Sequence, residues 1–499
     1  MKSIEEQIYT LSVASPEKRA LIDAADGTTV SYASLWKSIE KAAAFYKCRG
    51  LRKGDRVLIA AQKEIAFPAA YFGAHMAGLI AMPIDPETGA DRLRYIIGKG
   101  APRLAVGSFK EVGVLSEIDT VGFDCFADGL GEAVGDVEGV CGEVSPEFPA
   151  AEDIADILFT TGTTGAPKGV ALSYGNEAAA ALNINTFIGN GTDDVELIAL
   201  PISHSFGLGR LRCVLSIGAT AVMLGSFASM KRFYKAIGEF GVTGFGMVPA
   251  AWAYIRKMSG DRIAEYAPQL RYIEIGSAFM PEEEKRHLIS LLPLTEICMH
   301  YGLTEASRSS FINFRRDIDH LASAGKASPN VEIAIFSAEG EMLPADTDGE
   351  VCVRGAHVCC DYWGESREYF RRDFFGDWFR TGDRGSLSPE GWLSLKGRDK
   401  EMINVGGKKV NPIEVESALM TVDGIADCAC VARHDDVLGE VVEACIVSSD
   451  KDASELSDDQ IRAAVGRLVE AYKVPRYIRR VVSIPRTSSG KIKRLELKN

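Results

Sequence analysis

The chain has 499 residues, of which 46% are hydrophobic and 25% are charged. This composition excludes disordered and collagen-like classes, and the length suffices for several buried cores. The net charge of −13 argues against a nucleic-acid-binding or anionic-membrane protein.

The first residues, Met1–Ala20, have no apolar core behind a basic start, so we expect no secretory signal. No apolar run is long enough to predict a transmembrane helix. The 11 cysteines include no C-x-x-C pair, which favours reduced thiols in a cytoplasmic protein.

From residue 30 onward, helix and strand patterns alternate. Tyr32–Tyr46 and Ala66–Ala77 have helical periodicity, whereas Asp55–Ala61 and Leu79–Ile84 are apolar runs typical of buried strands. This β-α-β order predicts an α/β fold with mainly parallel sheets covered by helices.

Further strand patterns follow along the chain. They lie at Ile154–Phe159, Ala219–Leu224, Gly244–Val248, Tyr272–Ile275, Val331–Phe336 and Glu350–Arg354. The last two are short and closed by turn residues, so they predict a smaller, β-rich subdomain resembling a barrel.

A domain boundary is predicted at the turn-rich segment Lys396–Asp399. It divides the chain into a large N-terminal domain, 1–396, and a compact α+β piece, 397–499, of ordinary domain size. Lys473–Asn499 carries nine Lys/Arg and one acid, Glu496, in an otherwise acidic chain.

Five motifs carry candidate chemistry. They are TTGTTGAPKG (160–169), YGLTE (301–305), FRTGD (379–383), GRDKEMINVGGKKVNPIEVE (397–416) and PRTSSGKIKR (485–494). The first follows a strand pattern and offers backbone N–H groups, hydroxyls and a lysine for a polyphosphate. Proline at position 167 excludes a Walker A loop.

The other motifs suggest complementary roles. A tyrosine can stack on a base, a glutamate can bind Mg²⁺, and an aspartate can accept from both hydroxyls of a ribose. Taken alone, each motif has a plain alternative: a glycine-rich surface loop, a turn at a strand end, or a solvated basic tail.

In this order and spacing, the five motifs resemble the adenylate-forming superfamily of acyl-CoA synthetases, peptide-synthetase adenylation domains and luciferases. The resemblance covers nearly the whole chain. It implies that a mobile C-terminal domain swings about a hinge, and that ATP activates a carboxylic acid before thioester formation with CoA.

The resemblance also implies site residues. It assigns catalysis to Lys491, Thr304, Glu305 and His204, with Glu305 binding Mg²⁺. It assigns ATP binding to Thr160, Thr161, Gly162, Thr163, Thr164, Lys168, Gly276, Ser277, Ala278, His300, Tyr301, Gly302, Thr304, Asp383, Arg398 and Lys491. It assigns the hinge to Lys400, CoA binding to Gly406 and Gly407, and the acyl pocket to His204, Phe206, Gly246, Met247 and Leu303.

The acid itself is less determined. No acidic residue lies between Pro201 and Arg210, where amino-acid-activating relatives usually carry an aspartate, so α-amino acids are disfavoured and a fatty or aryl acid is expected. Relatives often have glycine where this chain has His300, and a bulkier residue there would alter the adenine wall or shorten the acyl pocket. Arg308 would pair with a second substrate carboxylate or face solvent, and we expect solvent.

Two alternatives stay open. The acyl group could pass to a carrier protein's phosphopantetheine, because the basic tail would suit an acidic carrier as well as the 3′-phosphate of CoA. A non-catalytic adenylate-binding sensor would be expected to have lost at least one residue needed for the reaction. The chain retains Lys168, Glu305, Asp383, Arg398 and Lys491. The oligomeric state is expected to be monomer or homodimer.

Overall fold

A computed structural model describes residues 1–61, 64–127, 146–160, 167–398, 401–406, 408–449, 456–487 and 492–498. Its helices are α1 Ile4–Ala14, α2 Tyr32–Cys48, α3 Phe67–Met76, α4 Ala90–Gly100, α5 Asp124–Ala127, α6 Tyr174–Ile188, α7 Ser205–Ser216, α8 Met230–Phe240, α9 Pro249–Ser259, α10 Glu282–Leu291, α11 Arg367–Arg371, α12 Pro412–Leu419, α13 Asp458–Val465 and α14 Arg494–Leu497.

The strands of the N-terminal part are β1 Arg19–Asp23, β2 Thr29–Ser31, β3 Arg56–Ala60, β4 Ile80–Ile84, β5 Leu104–Val106, β6 Asp119–Val121, β7 Ile154–Phe159, β8 Gly169–Ser173, β9 Val195–Ile198, β10 Thr220–Met223, β11 Gly244–Met247, β12 Tyr272–Ile275, β13 Glu296–Leu303, β14 Ala306–Asn313 and β15 Lys326–Ala327. The later strands are β16 Glu332–Phe336, β17 Gly349–Arg354, β18 Asp361–Tyr362, β19 Phe374–Phe375, β20 Trp378–Leu387, β21 Leu393–Arg398, β22 Ile403–Val405, β23 Lys408–Val410, β24 Ile425–Asp435, β25 Gly439–Ser448 and β26 Tyr477–Arg480.

Two large sheets form the N-terminal part. Sheet A has the order β15-β14-β13-β12-β11-β9-β10-β1-β2, and sheet B has the order β18-β8-β7-β4-β3-β5-β6. The inner strands of both sheets are parallel, as the β-α-β pattern predicted. The predicted α/β architecture is therefore confirmed.

Two smaller sheets follow. Sheet C, a curled half-barrel, has the order β16-β17-β20-β19 with β21 paired to β20. Sheet D has the order β23-β22-β25-β24 with β26 on β25, and it packs with α12 and α13 around its own apolar core. The change from sheet C to sheet D falls between Arg398 and Ile403.

None of the helices in the described ranges combines the length and apolar character that crossing a bilayer requires.

Helix α7 is buried over Phe206–Ser216, although it carries two arginines. Arg210 and Arg212 lie two positions apart, so they point about 200° apart around the helix. Arg210 reaches sheet A, where its Nε donates to Glu196 at 2.7 Å and its Nη1 lies 3.2 Å from Glu274 Oε2. Arg212 reaches the opposite side and binds Asp156 of sheet B and Glu177 of α6.

The ion pairs of Arg212 with Asp156 and Glu177 belong to a larger buried network. His75 of α3 bridges Glu5 of α1 and Asp156, with ring nitrogens 2.7 Å and 3.2 Å from their carboxylate oxygens. Burial opposes a charge on this ring, but the hydrogen bonds to Asp156 and Glu5 outweigh it and raise the pKa of His75 to about 10. The imidazolium and the Arg212 guanidinium balance two of the three buried carboxyl groups, and burial raises the pKa of the third, Glu177, well above its usual value.

We predict that Arg212→Met lowers the free energy of unfolding by about 3–5 kcal/mol, because it leaves the buried Asp156 short of one cation. The matched control is Arg286→Met, which removes a half-exposed partner of Glu282 on α10 and should cost under about 1 kcal/mol. The urea midpoints of the two variants and of the wild type measure the difference. Equal midpoints for the two variants would contradict a structural role for the buried pair.

Candidate active site

A cleft of about 190 Å³ opens at one edge of sheet B. Strands β3, β4 and β7 are parallel neighbours whose carboxyl ends meet at this edge, where ligands bind in open α/β sheets. The cleft is lined by Leu58, Met82, Pro83, Ile84, Asp85, Glu87, Thr88, Arg92, Ile96, Phe159, Ser203, His204, Arg486, Thr487 and Lys493. It therefore brings the end of β7, the entry to α7 and the C-terminal segment to one place.

The predicted phosphate loop leaves from this edge. Thr160 follows β7, and its N–H donates to the carbonyl of Lys168 at 3.0 Å. The ammonium of Lys168 lies 3.1 Å from Asp373 Oδ2 and 4.1 Å from the ring centroid of Tyr362. Thr161, Gly162, Thr163 and Thr164 lie outside the described residues. A phosphate that binds Lys168 must therefore compete with Asp373.

The YGLTE motif forms the tip of the β13–β14 hairpin. At Gly302 a Cβ atom would lie 2.4 Å from the backbone nitrogen of Arg308, so only glycine fits there. The carbonyl of Glu305 accepts from the N–H of Cys359 at 2.7 Å. Burial first, then the charges of Glu305 and Asp373, raise the pKa of Tyr362. Glu305 thus lies near the tyrosine on which Lys168 packs.

Asp383 and Tyr301 meet between two sheets. The hydroxyl of Tyr301 in β13 donates to Asp383 Oδ2 in β20 at 2.6 Å. Asp383 is 7% exposed and faces Arg398 in the β20–β21 register. The structure therefore brings together the residues predicted to bind adenine and ribose, at the junction of sheet A and the half-barrel.

The predicted adenine segment Gly276–Ala278 follows β12. Ser277 has φ +74°, so the chain turns sharply after the strand. At Gly276 a Cβ atom would lie 2.1 Å from His300 Cε1. The imidazole of His300 therefore lies directly against Gly276.

Most predicted acyl-pocket residues lie close together, but Leu303 lies apart. At Gly246 a Cβ atom would lie 3.2 Å from Phe206 Cε2, and Met247 is fully buried in the same core. Leu303 packs with Ala306 and residues of the half-barrel instead. His204 immediately precedes α7 and lines the cleft, next to the core that contains Phe206.

The expectation that Arg308 faces solvent is wrong. Arg308 is 2% exposed, and its Nε donates to Glu274 at 3.1 Å. Its two Nη atoms donate to the carbonyls of Ser205 and Phe206, each at 3.0 Å. The buried carboxylate of Glu274 draws the guanidinium inward, because a buried charge needs a partner.

The ionic partners of α7 were not identified from the sequence. Glu274 stands in the predicted strand Tyr272–Ile275, whereas Glu196, Arg210 and Arg212 stand in segments for which no element was predicted from the sequence. A charged residue inside a buried segment is the one signal that could have found them, because such residues are paired when they are buried.

The C-terminal predictions fall partly outside the described residues. Lys400, Gly407 and Lys491 lie outside them, and Gly406 has φ +57° with its N–H donating to Leu438 at 2.9 Å. Arg486 and Ile492 pair in an isolated β-bridge, and Ile492 directly follows Lys491 in the sequence.

Glu305 fits the requirements of a bound magnesium ion. Mg²⁺ in nucleotide sites usually takes one or two carboxylates, with phosphate oxygens and water completing its shell. The one carboxylate of Glu305, near Tyr362 and Lys168, meets that requirement.

Comparisons with known proteins agree with this geometry. The chain matches the AMP-binding enzyme family over residues 11–363 and the AMP-binding enzyme C-terminal domain over 414–491. It is 28% identical to the long-chain-fatty-acid–CoA ligase FadD13 of Mycobacterium tuberculosis, over 99% of this chain and 97% of the relative.

Two solved structures are similar over the whole chain. ATP-bound MatB from Rhodopseudomonas palustris is 25% identical, with a TM-score of 0.89 over 99% of this chain and 98% of its own. The o-succinylbenzoate CoA synthetase of Bacillus subtilis, with ATP and magnesium ion, is 25% identical, with a TM-score of 0.87 over 98% of both chains. The chain therefore belongs to the AMP-binding enzyme family, in the adenylate-forming acyl-CoA ligase superfamily, with both its N-terminal and its C-terminal domains.

Proposed function

We propose that the protein activates a carboxylic acid in two half-reactions at the cleft beside His204. It is an AMP-forming acid–CoA ligase, in which ATP, acid and CoA yield acyl-CoA, AMP and pyrophosphate. The observation that carries the residue assignment is that Arg486, Thr487 and Lys493, on both sides of Lys491, line the same cleft as His204.

In the first half-reaction a carboxylate oxygen attacks the α-phosphorus, and the bond to pyrophosphate breaks. Charge on the phosphoryl oxygens makes positioned cations and donors the main source of catalysis. Thr304 contacts the α-phosphate, and Lys491 bridges it to the carboxylate as a point charge. Lys491 directly precedes Ile492, whose bridge to Arg486 anchors the segment at the cleft.

The nucleotide is held by three groups of residues. Tyr301 lies against the adenine, with Gly276, Ser277, Ala278, His300 and Gly302 around it. Asp383 accepts from both ribose hydroxyls beside Arg398, because a carboxylate has acceptor capacity for two donors. Thr160, Thr161, Gly162, Thr163, Thr164 and Lys168 surround the β- and γ-phosphates.

Glu305 is the protein ligand for Mg²⁺, which when bound would neutralise phosphate charge. Its backbone position is fixed by the hydrogen bond from Cys359. Lys168 lies near Tyr362 beside it and supplies a second positive charge for the departing pyrophosphate.

In the second half-reaction the thiol sulfur attacks the acyl carbon, AMP leaves and the thiol proton passes to solvent. The domain 397–499 swings about Lys400 relative to 1–396, which withdraws Lys491 and presents Gly406 and Gly407 to the thiol. The two family matches, 11–363 and 414–491, lie on either side of this proposed hinge.

The acceptor is proposed to be CoA. Within Lys473–Asn499, seven cations pair with nearby carboxylates of the C-terminal part: Lys473, Arg476, Arg479, Arg480, Arg486, Lys493 and Arg494. Their charge is largely neutralised within the domain, which weakens the electrostatic argument for an acidic carrier protein and for the 3′-phosphate of CoA alike. The CoA assignment is supported instead by the CoA ligases and the CoA synthetase to which the chain is similar. The cytoplasmic location and the monomeric or dimeric state stay predictions.

We predict that the enzyme, ATP and a suitable acid convert free CoA to acyl-CoA, and that an acyl carrier protein bearing phosphopantetheine gains no acyl group. Mass spectrometry of both acceptors in one incubation measures the two products. Acylation of the carrier with no acyl-CoA would contradict the CoA assignment. The absence of ATP–pyrophosphate exchange with any acid in a broad panel would instead favour a non-catalytic sensor.

We predict that Asp383→Asn raises the KM for ATP about tenfold, because the amide cannot accept from both ribose hydroxyls with a full charge. The KM for the acid should stay nearly unchanged. Steady-state kinetics with each substrate varied in turn measures the KM for ATP and the KM for the acid separately. Asp377→Asn, an exposed acid in the preceding turn, is the matched control. A similar rise in that control would remove the ribose assignment.

We predict that Lys491→Ala lowers adenylate formation by roughly 100-fold or more, since one positioned donor in such a site contributes that much. Thioester formation from supplied acyl-AMP should persist, because the lysine acts in one conformation only. Gly407→Leu should have the reverse effect.

Pyrophosphate exchange and the consumption of acyl-AMP by CoA measure the two half-reactions separately. Lys498→Ala, an exposed lysine of the same tail, is the control and should leave both rates unchanged. Equal losses in both half-reactions for Lys491→Ala would contradict the domain swing.

A further inference from the structure

We infer that this enzyme takes short aliphatic monocarboxylic acids, because His300 and Arg308 fill the space beyond Gly276 into which a longer acyl chain would extend. The inference rests on the proposed function and deepens it by naming the substrate class. It differs from the long-chain acids named for FadD13, a relative that is 28% identical.

The imidazole of His300 occupies the floor of the predicted acyl pocket. His300 extends from β13 on the same side of sheet A as Gly276, and it lies where a Cβ atom on Gly276 would be. Its ring packs edge-on against Phe206, with 4.7 Å between centroids, and against Phe311 at 5.9 Å. It therefore closes the gap between the end of β12 and the start of α7.

This ring is held in place. His300 Nδ1 lies 2.6 Å from Glu274 Oε1, and the side chain is 6% exposed. Glu274 is fixed in turn by Arg308 and by Arg210 of α7. A chain that displaced the ring would break a contact to a buried carboxylate, which is costly.

Arg308 closes the adjoining space. Its guanidinium spans from β14 to the first turn of α7 and lies 4.7 Å from the ring centroid of Phe206. At Gly209 a Cβ atom would lie 2.7 Å from its Nη1, so the helix and the arginine are in direct contact. The space on this side of Phe206 is therefore occupied by protein.

The same contacts disfavour acids that carry a second charge. Arg308 donates to Glu274, Ser205, Ser307 and Phe206, which uses four of its five N–H groups, so it lacks the pair of free donors that bidentate binding of a second substrate carboxylate would need. Glu274 is shared by Arg210, Arg308 and His300, and it is not available to a substrate ammonium. A short, singly charged acid meets both conditions.

A second, smaller cavity is the alternative space into which a longer acyl chain could extend. It lies behind Thr304 and Ser307 and is lined also by Glu177, Arg212 and His357. It holds about 20 Å³, room for roughly one water molecule. Leu172, Ala180, Ala181 and Ile184 make its lining mostly apolar, so its small size rather than its polarity excludes an acyl chain of several methylene groups.

The test is ATP–pyrophosphate exchange by the full-length enzyme with acetate, propionate, butyrate, octanoate, palmitate, benzoate and malonate. We expect the largest kcat/KM for one of the first three. A preference for octanoate, palmitate, benzoate or malonate would overturn the inference while the ligase function stands. No exchange with any acid would overturn both.

Two variants test which side chain limits the length of the acyl chain. His300→Ala should raise kcat/KM for octanoate relative to propionate by about tenfold or more, since added room admits further methylene groups. His357→Ala, the matched removal of a buried imidazole from the smaller cavity, should leave that ratio unchanged.

The reverse result, with His357→Ala alone extending the range, would place the tail in the smaller cavity and overturn the assignment to His300. If either variant fails to fold, the wild-type chain-length profile still decides the proposal.

Discussion

The architecture depends on one buried helix that binds both large sheets through oppositely directed arginines. Arg210 neutralises carboxylates of sheet A, and Arg212 neutralises Asp156 of sheet B. Taking these charges out of water costs several kcal/mol per ion. The ion pairs of Arg210 and of Arg212 are therefore stable only when each arginine keeps its carboxylate partners. The helix is therefore fixed in position and rotation more strictly than apolar packing alone would fix it. Because α7 begins directly after His204, this also fixes the entrance to the proposed acyl site.

Most of the proposed site residues, by contrast, lie on loops or at a hairpin tip around this rigid frame. The predicted phosphate loop follows β7, and Thr304 and Glu305 lie at the tip of β13–β14, whereas Asp383 lies within β20 of the half-barrel. Loops tolerate the movement that binding and release require, while the strands hold their ends in register. The hydrogen bond from Tyr301 to Asp383 directly links sheet A and the half-barrel at the proposed nucleotide site.

Local patterns in the sequence predicted the bounds of individual strands, because those depend on neighbouring residues. The strands Ile154–Phe159 and Tyr272–Ile275 have the predicted bounds, because apolar runs between turn residues define buried strands. The motif residues Tyr301 and Asp383 lie in contact although they are 82 positions apart, and their nucleotide-binding roles stay predictions. The position of Arg308 was predicted wrongly, because its partner Glu274 is 34 residues away and nothing adjacent to Arg308 reveals it.

The charge balance also explains why His300 is the position at which chain length can change. Burial lowers the pKa of this histidine, so the ring is neutral at pH 7. Its removal leaves Arg210 and Arg308 opposite Glu196 and Glu274, two cations for two carboxylates. Loss of Arg308 or Glu274 would instead leave an unpaired buried charge, which destabilises the fold as well as altering the pocket. Acyl specificity can therefore vary at His300 without weakening the ionic contacts that hold α7.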